Sequence, residues 1–295
     1  MDSLILWIIV FTTLGGVLSV FAAAAFLLVP EATRTRMLSP MVSFAIGALL
    51  GASFLALLPH AFETPGVDVH RVALTVLCGI LVFFLLEKMV IWRHCHTHDC
   101  DVHGGANVGR LQHPASRDTS TSLYSAGTTG MPVAAEYRAL DVDKARHAAT
   151  GNLILIGDGI HNMVDGVLIA AAFLTDIHLG VITSVAVIAH EIPQELGDFA
   201  ILLHSGYSRS RALLYNALTG LTTIFGGVVA YFSLSFANQL VPYVLAVAAS
   251  SFIYIAVADL IPGLHKRPEF SATAQQIVLI VLGVAVIFLA HSTLH

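Results

Sequence analysis

The sequence predicts an all-α membrane protein. It has eight transmembrane helices, a central helix pair between two inverted three-helix repeats, and both termini extracytoplasmic. Three observations lead to the helices and their orientation, and the similar ends of spans 2 and 7 lead to the repeat. The 295 residues are 56% hydrophobic and only 11% charged, against about 25% charged in an ordinary soluble domain. Apolar runs of about 20 residues, the length that crosses a bilayer as a helix, recur along the whole chain. The basic residues sort by side: Arg34 and Arg36 follow the first run, Arg209 and Arg211 the fifth, and Lys266 and Arg267 the seventh. Lys88 and Arg93 end the third, Arg110, Arg117, Arg138, Lys144 and Arg146 fill the loop after it, and Arg71 alone falls on the other side. The positive-inside rule then sets both termini outside and that loop in the cytoplasm.

In order, the runs cover residues 4–29, 38–60, 70–92, 150–174, 180–203, 211–236, 240–262 and 274–294. The first is too long for the core of a signal peptide and lacks a positive flank, so it reads as a span. Residues 1–92 thus hold helices 1–3, and 93–148 form a cytoplasmic, His-rich and largely disordered loop. Residues 149–205 carry the metal-binding helices 4 and 5, and 206–295 hold helices 6–8. The loop opens with His94, Cys95, His96, His98, Asp99, Cys100, Asp101, His103 and His113. Such a tract suits modest metal capture but fits no standard zinc spacing. Span 2 ends in SFLALLPH and span 7 in YIAVADLIP, although the two run in opposite directions; weak similarity of that kind is what an inverted repeat leaves. Gly47, Gly51, Ala22–Ala25, Gly226 and Gly227 are small residues expected where helices pack closely.

The central pair carries the chemistry. Residues 157–166 read GDGIHNMVDG and residues 189–198 read AHEIPQELGD. Side chains three or four residues apart share a helix face. One stripe is therefore Asp158, His161, Asn162 and Asp165; the other is His190, Glu191, Gln194, Glu195 and Asp198. No Lys or Arg lies between Arg146 and Arg209, so five carboxylates sit in apolar helices without a fixed cation. Unpaired charge in a membrane is expensive and marks function, and the two histidines point to a metal ion. His161, Asp165, His190 and Gln194 supply mixed nitrogen and oxygen donors to one ion, with Asn162, Glu191 and Glu195 one residue further round, near enough for an adjoining site. Such donors suit zinc, iron(II), manganese or cobalt better than copper(I), magnesium or calcium. Pro193 cannot donate to the carbonyl of Ala189 and is expected to bend its helix there. Asp158 and Asp198 are read as either metal-touching or simply hydrated near the interface, and Asp259 as either a gate or an interfacial residue.

HNMVDG at 161–166 and HEIPQELGD at 190–198 closely resemble the paired signatures HNxxDG and HExPHExGD of the ZIP divalent-metal transporters. The resemblance extends to eight spans, the His-rich loop, LLPHAFE in span 2 and FIYIAVADLIP in span 7. It implies that His161, Asp165, His190 and Gln194 surround the main transport site, with Asn162, Glu191 and Glu195 building the adjacent one. It further implies inverted repeats around spans 4 and 5, uptake toward the cytoplasm, and an elevator-like movement of the metal-binding bundle against a dimerising scaffold, hence a homodimer. Zinc, iron, manganese, cobalt or cadmium would then be cargo, with no prosthetic group. The chain departs from the pattern at two places: Gln194 stands where this branch usually has His, and Ala56 where span 2 often has a second His before His60.

Other classes fare less well. Cys78, Cys95 and Cys100 make no disulfide framework, and no nucleic-acid footprint is present. An intramembrane metal-dependent hydrolase is the alternative of another class. His190–Glu191 begins like the zinc-protease pattern HExxH, yet Gln194 stands where its second His should be and Pro193 interrupts the helix. The reading is therefore a transporter and not an enzyme, placed in a plasma membrane of the bacterial inner-membrane type.

Overall fold

The computed structural model describes residues 2–26, 28–94, 132–265 and 270–294. Among them there is no strand, and eight long helices carry the chain: α1 (Ser3–Phe26), α2 (Ala32–Glu63), α3 (Val69–His94), α4 (Pro132–Thr175), α5 (Ile177–His204), α6 (Arg209–Phe236), α7 (Asn238–Leu264) and α8 (Phe270–Leu294). Seven of the eight are long and apolar enough to cross a membrane. The other, α5, has the length at 28 residues, but its second half carries the polar stripe expected there. The His/Cys tract at 94–113 lies almost wholly outside the described residues, as do Lys266 and Arg267. Helix α4 begins at Pro132, so helix occupies the last part of the segment expected to lack order.

Local chemistry sets the joints. Between α4 and α5, Asp176 caps α5 by accepting hydrogen bonds from the backbone N–H of His178 (2.7 Å) and Leu179 (3.2 Å), as an N-cap aspartate does. At the other end Gly206 adopts φ +88°. The Gly206 N–H donates to the Leu203 carbonyl and the Tyr207 N–H to that of Leu202, both at 3.1 Å, a Schellman closure that only glycine enters cheaply.

Three helices contain π-helical turns that the apolar pattern does not foretell: Leu14–Leu18 in α1, Ala52–Leu57 in α2 and Ile255–Leu260 in α7. The last two match. Leu58 N–H donates to Ser53 and Ile261 N–H to Ala256, and Pro59 or Pro262 follows at once. A proline ring crowds the preceding turn, and one extra residue in that turn makes room.

The helices pack as two groups. In the first, α4 lies against α6, α1 against α5 and α6, and α4 against α5. In the second, α2 lies against α8 and α7, and α3 against α7. Glycines bring backbones together inside each group. A Cβ on Gly166 would sit 1.9 Å from the Thr223 carbonyl oxygen, one on Gly226 2.1 Å from that of Met163, and one on Gly16 2.2 Å from that of Gly220. In the second group a Cβ on Gly47 would sit 2.0 Å from the Ile280 carbonyl oxygen, and one on Gly283 2.4 Å from that of Phe44. Gly47, Gly51, Gly226 and Gly227 are packing residues, as the sequence suggests; of Ala22–Ala25, Ala23 is buried. Helices α3 and α8 turn apolar faces outward, with Leu74, Leu77, Phe84, Val278, Val281 and Leu289 more than half exposed.

Gly166→Leu therefore forces α4 from α6, and overpacking of this kind costs about 1–3 kcal/mol. Its melting temperature in detergent should drop by several degrees. Gly157→Ala, where nothing lies within 4 Å of the added carbon, should leave it unchanged or raise it. Equal behaviour of the two would mean that the glycine contact does not hold the pair together.

Candidate metal centre

Helices α4 and α5 bring four side chains to one point. His161 and Asp165 stand one turn apart on α4, and His190 and Glu191 are neighbours on α5. One ligand atom from each lies within 4.8 Å of the others. His161 Nε2 is 3.3 Å from His190 Nε2, 3.5 Å from Glu191 Oε1 and 3.7 Å from Asp165 Oδ2. His190 Nε2 is 3.2 Å from Asp165 Oδ2 and 3.9 Å from Glu191 Oε1. Asp165, His190 and Glu191 are buried to within 1%, whereas the His161 side chain keeps 22% of its surface exposed and forms the open side.

The chemistry of this group is one-sided. His190 Nδ1 lies 3.0 Å from the Ala186 carbonyl. A carbonyl only accepts, so Nδ1 carries a proton there, which leaves Nε2 as the nitrogen that can turn a lone pair inward. That is how a ligating histidine is held by its outer partner. The ring is steadied by Phe252 of α7, whose centroid is 6.0 Å away. Neither oxygen of Asp165 or Glu191 accepts a hydrogen bond. Two carboxylates without donors thus stand beside two imidazole nitrogens that hydrogen-bond to each other at 3.3 Å, and a cation with free coordination positions could complete the group by displacing that shared proton.

The other expected residues are placed around this group. Asn162 is fully buried and committed: its amide donates to Asp158 Oδ1 at 2.8 Å, and its Oδ1 accepts from Thr223 of α6 at 2.8 Å. Glu195 is fully buried with both oxygens unpartnered, and Asn216 of α6 faces it. Gln194 stands half-buried one turn beyond His190. Asp158 is 5% exposed with Oδ2 unpartnered, and Asp198 is half-buried. Helix α5 continues through Pro193 without ending. The sequence places the helix α6 but does not single out its polar residues. Thr223 holds Asn162, and Thr222 donates to the Gly159 carbonyl at 2.7 Å. The signal was there: Asn216, Thr219 and Thr223 recur at helical spacing in an otherwise apolar span.

The same residues carry the likeness to known proteins. The pattern of the ZIP zinc transporter family matches residues 3–291. The chain belongs to that family. Among its relatives, an uncharacterized zinc transporter of Schizosaccharomyces pombe is 31% identical over 285 residues, covering 85% of this chain and 62% of that protein. The zinc transporter ZIP13 of Gallus gallus is 31% identical over 278 residues, covering 88% of this chain and 75% of that one. The zinc transporter ZIP4 of Rattus norvegicus is 33% identical over 248 residues, covering 76% and 38%. The chain thus spans less than two thirds of the yeast protein and well under half of the rat one. As a ZIP family member with seven apolar membrane-length helices, it is a multi-pass membrane protein.

Lone pairs on imidazole take up a metal ion only when no proton occupies them, and histidine ordinarily titrates near pH 6.5. Zinc binding by the purified chain, followed by calorimetry, should therefore weaken as pH falls from about 7.5 to about 5.5. An affinity constant across that window would place both histidines outside the ligand set.

Proposed function

We propose that this chain carries divalent transition-metal ions, zinc foremost, across a membrane into the cytoplasm, and that His161, Asp165, His190 and Glu191 hold the ion in transit. The observation that carries this reading is the convergence of two imidazoles and two buried, unpartnered carboxylates between two membrane-length helices. The family likeness supports the same cargo, since the relatives named above are zinc transporters. Asn162, Gln194 and Glu195 extend the ligand set on the faces beside it. Gln194 in place of an imidazole loosens preference for zinc, so iron(II), manganese, cobalt and cadmium are secondary cargoes. A hydrolase is disfavoured because the HExxH pattern is not completed at Gln194.

The packing supports two further readings. The paired π turns before Pro59 and Pro262 favour an inverted repeat relating α1–α3 to α6–α8. The contacts obey the same exchange: α3 on α7 answers to α8 on α2, and α4 on α6 answers to α5 on α1. Movement of the group α1, α4, α5 and α6 against the group α2, α3, α7 and α8 is supported by where the close contacts fall. The glycine approaches described above lie inside one group or the other. So do the hydrogen bonds of Thr222 to Gly159, Thr223 to Asn162 and Ser53 to Ala249. The implied homodimer would then be built on the second group. The basic residues favour extracytoplasmic termini.

In proteoliposomes the wild type should take up zinc. His161→Ala, Asp165→Ala, His190→Ala and Glu191→Ala should each lower the rate at least about tenfold, the scale on which lost ligands and their partners act, while remaining inserted and dimeric or monomeric as the wild type is. Two or more variants with normal uptake would move the site elsewhere. For orientation, a single cysteine at Thr64 should react with a membrane-impermeant reagent from outside, and one at Ser208 only after the cytoplasmic face is opened. The opposite pattern would reverse the topology and the direction of uptake with it.

A further inference from the structure

At the end of the bundle where α1 passes to α2 and α5 to α6, the surface is hollowed by two adjoining cavities of about 360 and 340 Å³. Arg34 of α2 lines both, and so do Phe199 and Leu203 of α5. The larger one adds Arg209 and Ser210 from the start of α6, and Leu28 from the turn after α1. The smaller runs along α5 as far as Pro193. Among the described residues, no carboxylate lines either cavity. Two guanidinium groups and a hydroxyl thus stand at the rim of a hollow whose walls are otherwise largely apolar, with His204 at one end of the smaller cavity. Arg34 is half-buried in it rather than spread over the surface.

We infer that this hollow is a binding site for one anionic phospholipid of the adjacent leaflet. Its phosphate rests between Arg34, Arg209 and Ser210, and its acyl chain lies over Phe199, Leu203 and Leu28. The assignment follows from complementarity. A guanidinium pairs a phosphate through parallel N–H donors, and apolar walls beside it at the end of a membrane helix suit the hydrocarbon that a free anion lacks. Leu28 is 87% exposed, an apolar side chain at the mouth for which an acyl chain is the natural neighbour. The orientation proposed above puts this end in the cytoplasmic leaflet, where anionic lipids gather and basic pockets between membrane helices bind their headgroups. The inference rests on that orientation only for the choice of leaflet. The floor of the hollow is α5, one face of which carries His190 and Glu191, so the lipid would lie against the same helix that holds the metal ligands.

The test is lipid retention by the full chain in detergent, read by native mass spectrometry with phosphatidylglycerol as probe and phosphatidylcholine and inorganic phosphate as comparisons. Phosphatidylglycerol should bind in a one-to-one complex. The double variant Arg34→Gln/Arg209→Gln should weaken it by roughly thirtyfold, as two basic groups near an anionic lipid would. Arg34→Lys/Arg209→Lys should restore most of the loss. Arg36→Gln/Arg211→Gln, which removes two exposed arginines that line neither cavity, should change it little. Equal retention of phosphatidylcholine would overturn the role of charge. Displacement of the lipid by millimolar inorganic phosphate would make the hollow a free-anion site. Equal loss in the Arg36/Arg211 variant would reduce it to diffuse surface attraction. None of these readouts involves metal transport, so failure here is distinguishable from failure of the transport reading.

Discussion

The whole molecule is arranged around negative charge held without a matching positive side chain. Asp165 and Glu191 are buried, accept no hydrogen bonds and stand beside two imidazole nitrogens. A single carboxylate at the middle of a membrane helix costs about 3 kcal/mol by insertion scales, and more by others. Such a cost is tolerable only where the surrounding fold fixes the groups and a visiting cation offsets it. That explains the investment in rigid neighbours: Ala186 and Phe252 hold the His190 ring, and Asp158 and Thr223 hold Asn162.

Rigidity here comes from backbone contact. Glycine at Gly166, Gly226 and Gly16 lets α6 lie directly on α4 and α1, so the helix that carries no ligand of the central four still fixes the one that carries two. In a bilayer, where lipid tails are as apolar as leucine, close packing of this kind is what holds helices together. The outer group repeats the device with Gly47 and Gly283. Where the two groups meet, α5 faces α2 and α4 faces α7, and side chains fill the boundary instead.

Much of this was legible in the chain. Apolar runs located the helices, and helical spacing put His161 with Asp165 and His190 with Gln194. What spacing cannot give is how far one helix is rotated toward another. The sequence placed Glu191 beside an adjoining site; α5 brings one of its oxygens within 4.8 Å of the ligand atoms of His161, Asp165 and His190, and Gln194 stands half-buried one turn on. The π turns were hidden for a related reason. An inserted residue leaves the apolar pattern of an all-apolar helix unchanged, so only Pro59 and Pro262 hinted at it. Asn216 and Thr223 were overlooked because single polar residues in an apolar span look like ordinary packing until a partner helix is known.

The balance of the central four has an electrical consequence. Counted with both imidazoles neutral and Asp165 and Glu191 ionised, the central four would carry two negative charges, and a divalent ion would bring them to zero. A filled carrier would then cross the membrane as a neutral body, indifferent to voltage. The vacant one would not. Moving two charges through the full field is worth about 4.6 kcal/mol per 100 mV, and a potential negative inside would drive the vacant site back toward the outside. Under the inward transport proposed above, loading would depend on the metal gradient and resetting on the voltage, so that the membrane potential would aid the return of the carrier without acting on the ion it delivers.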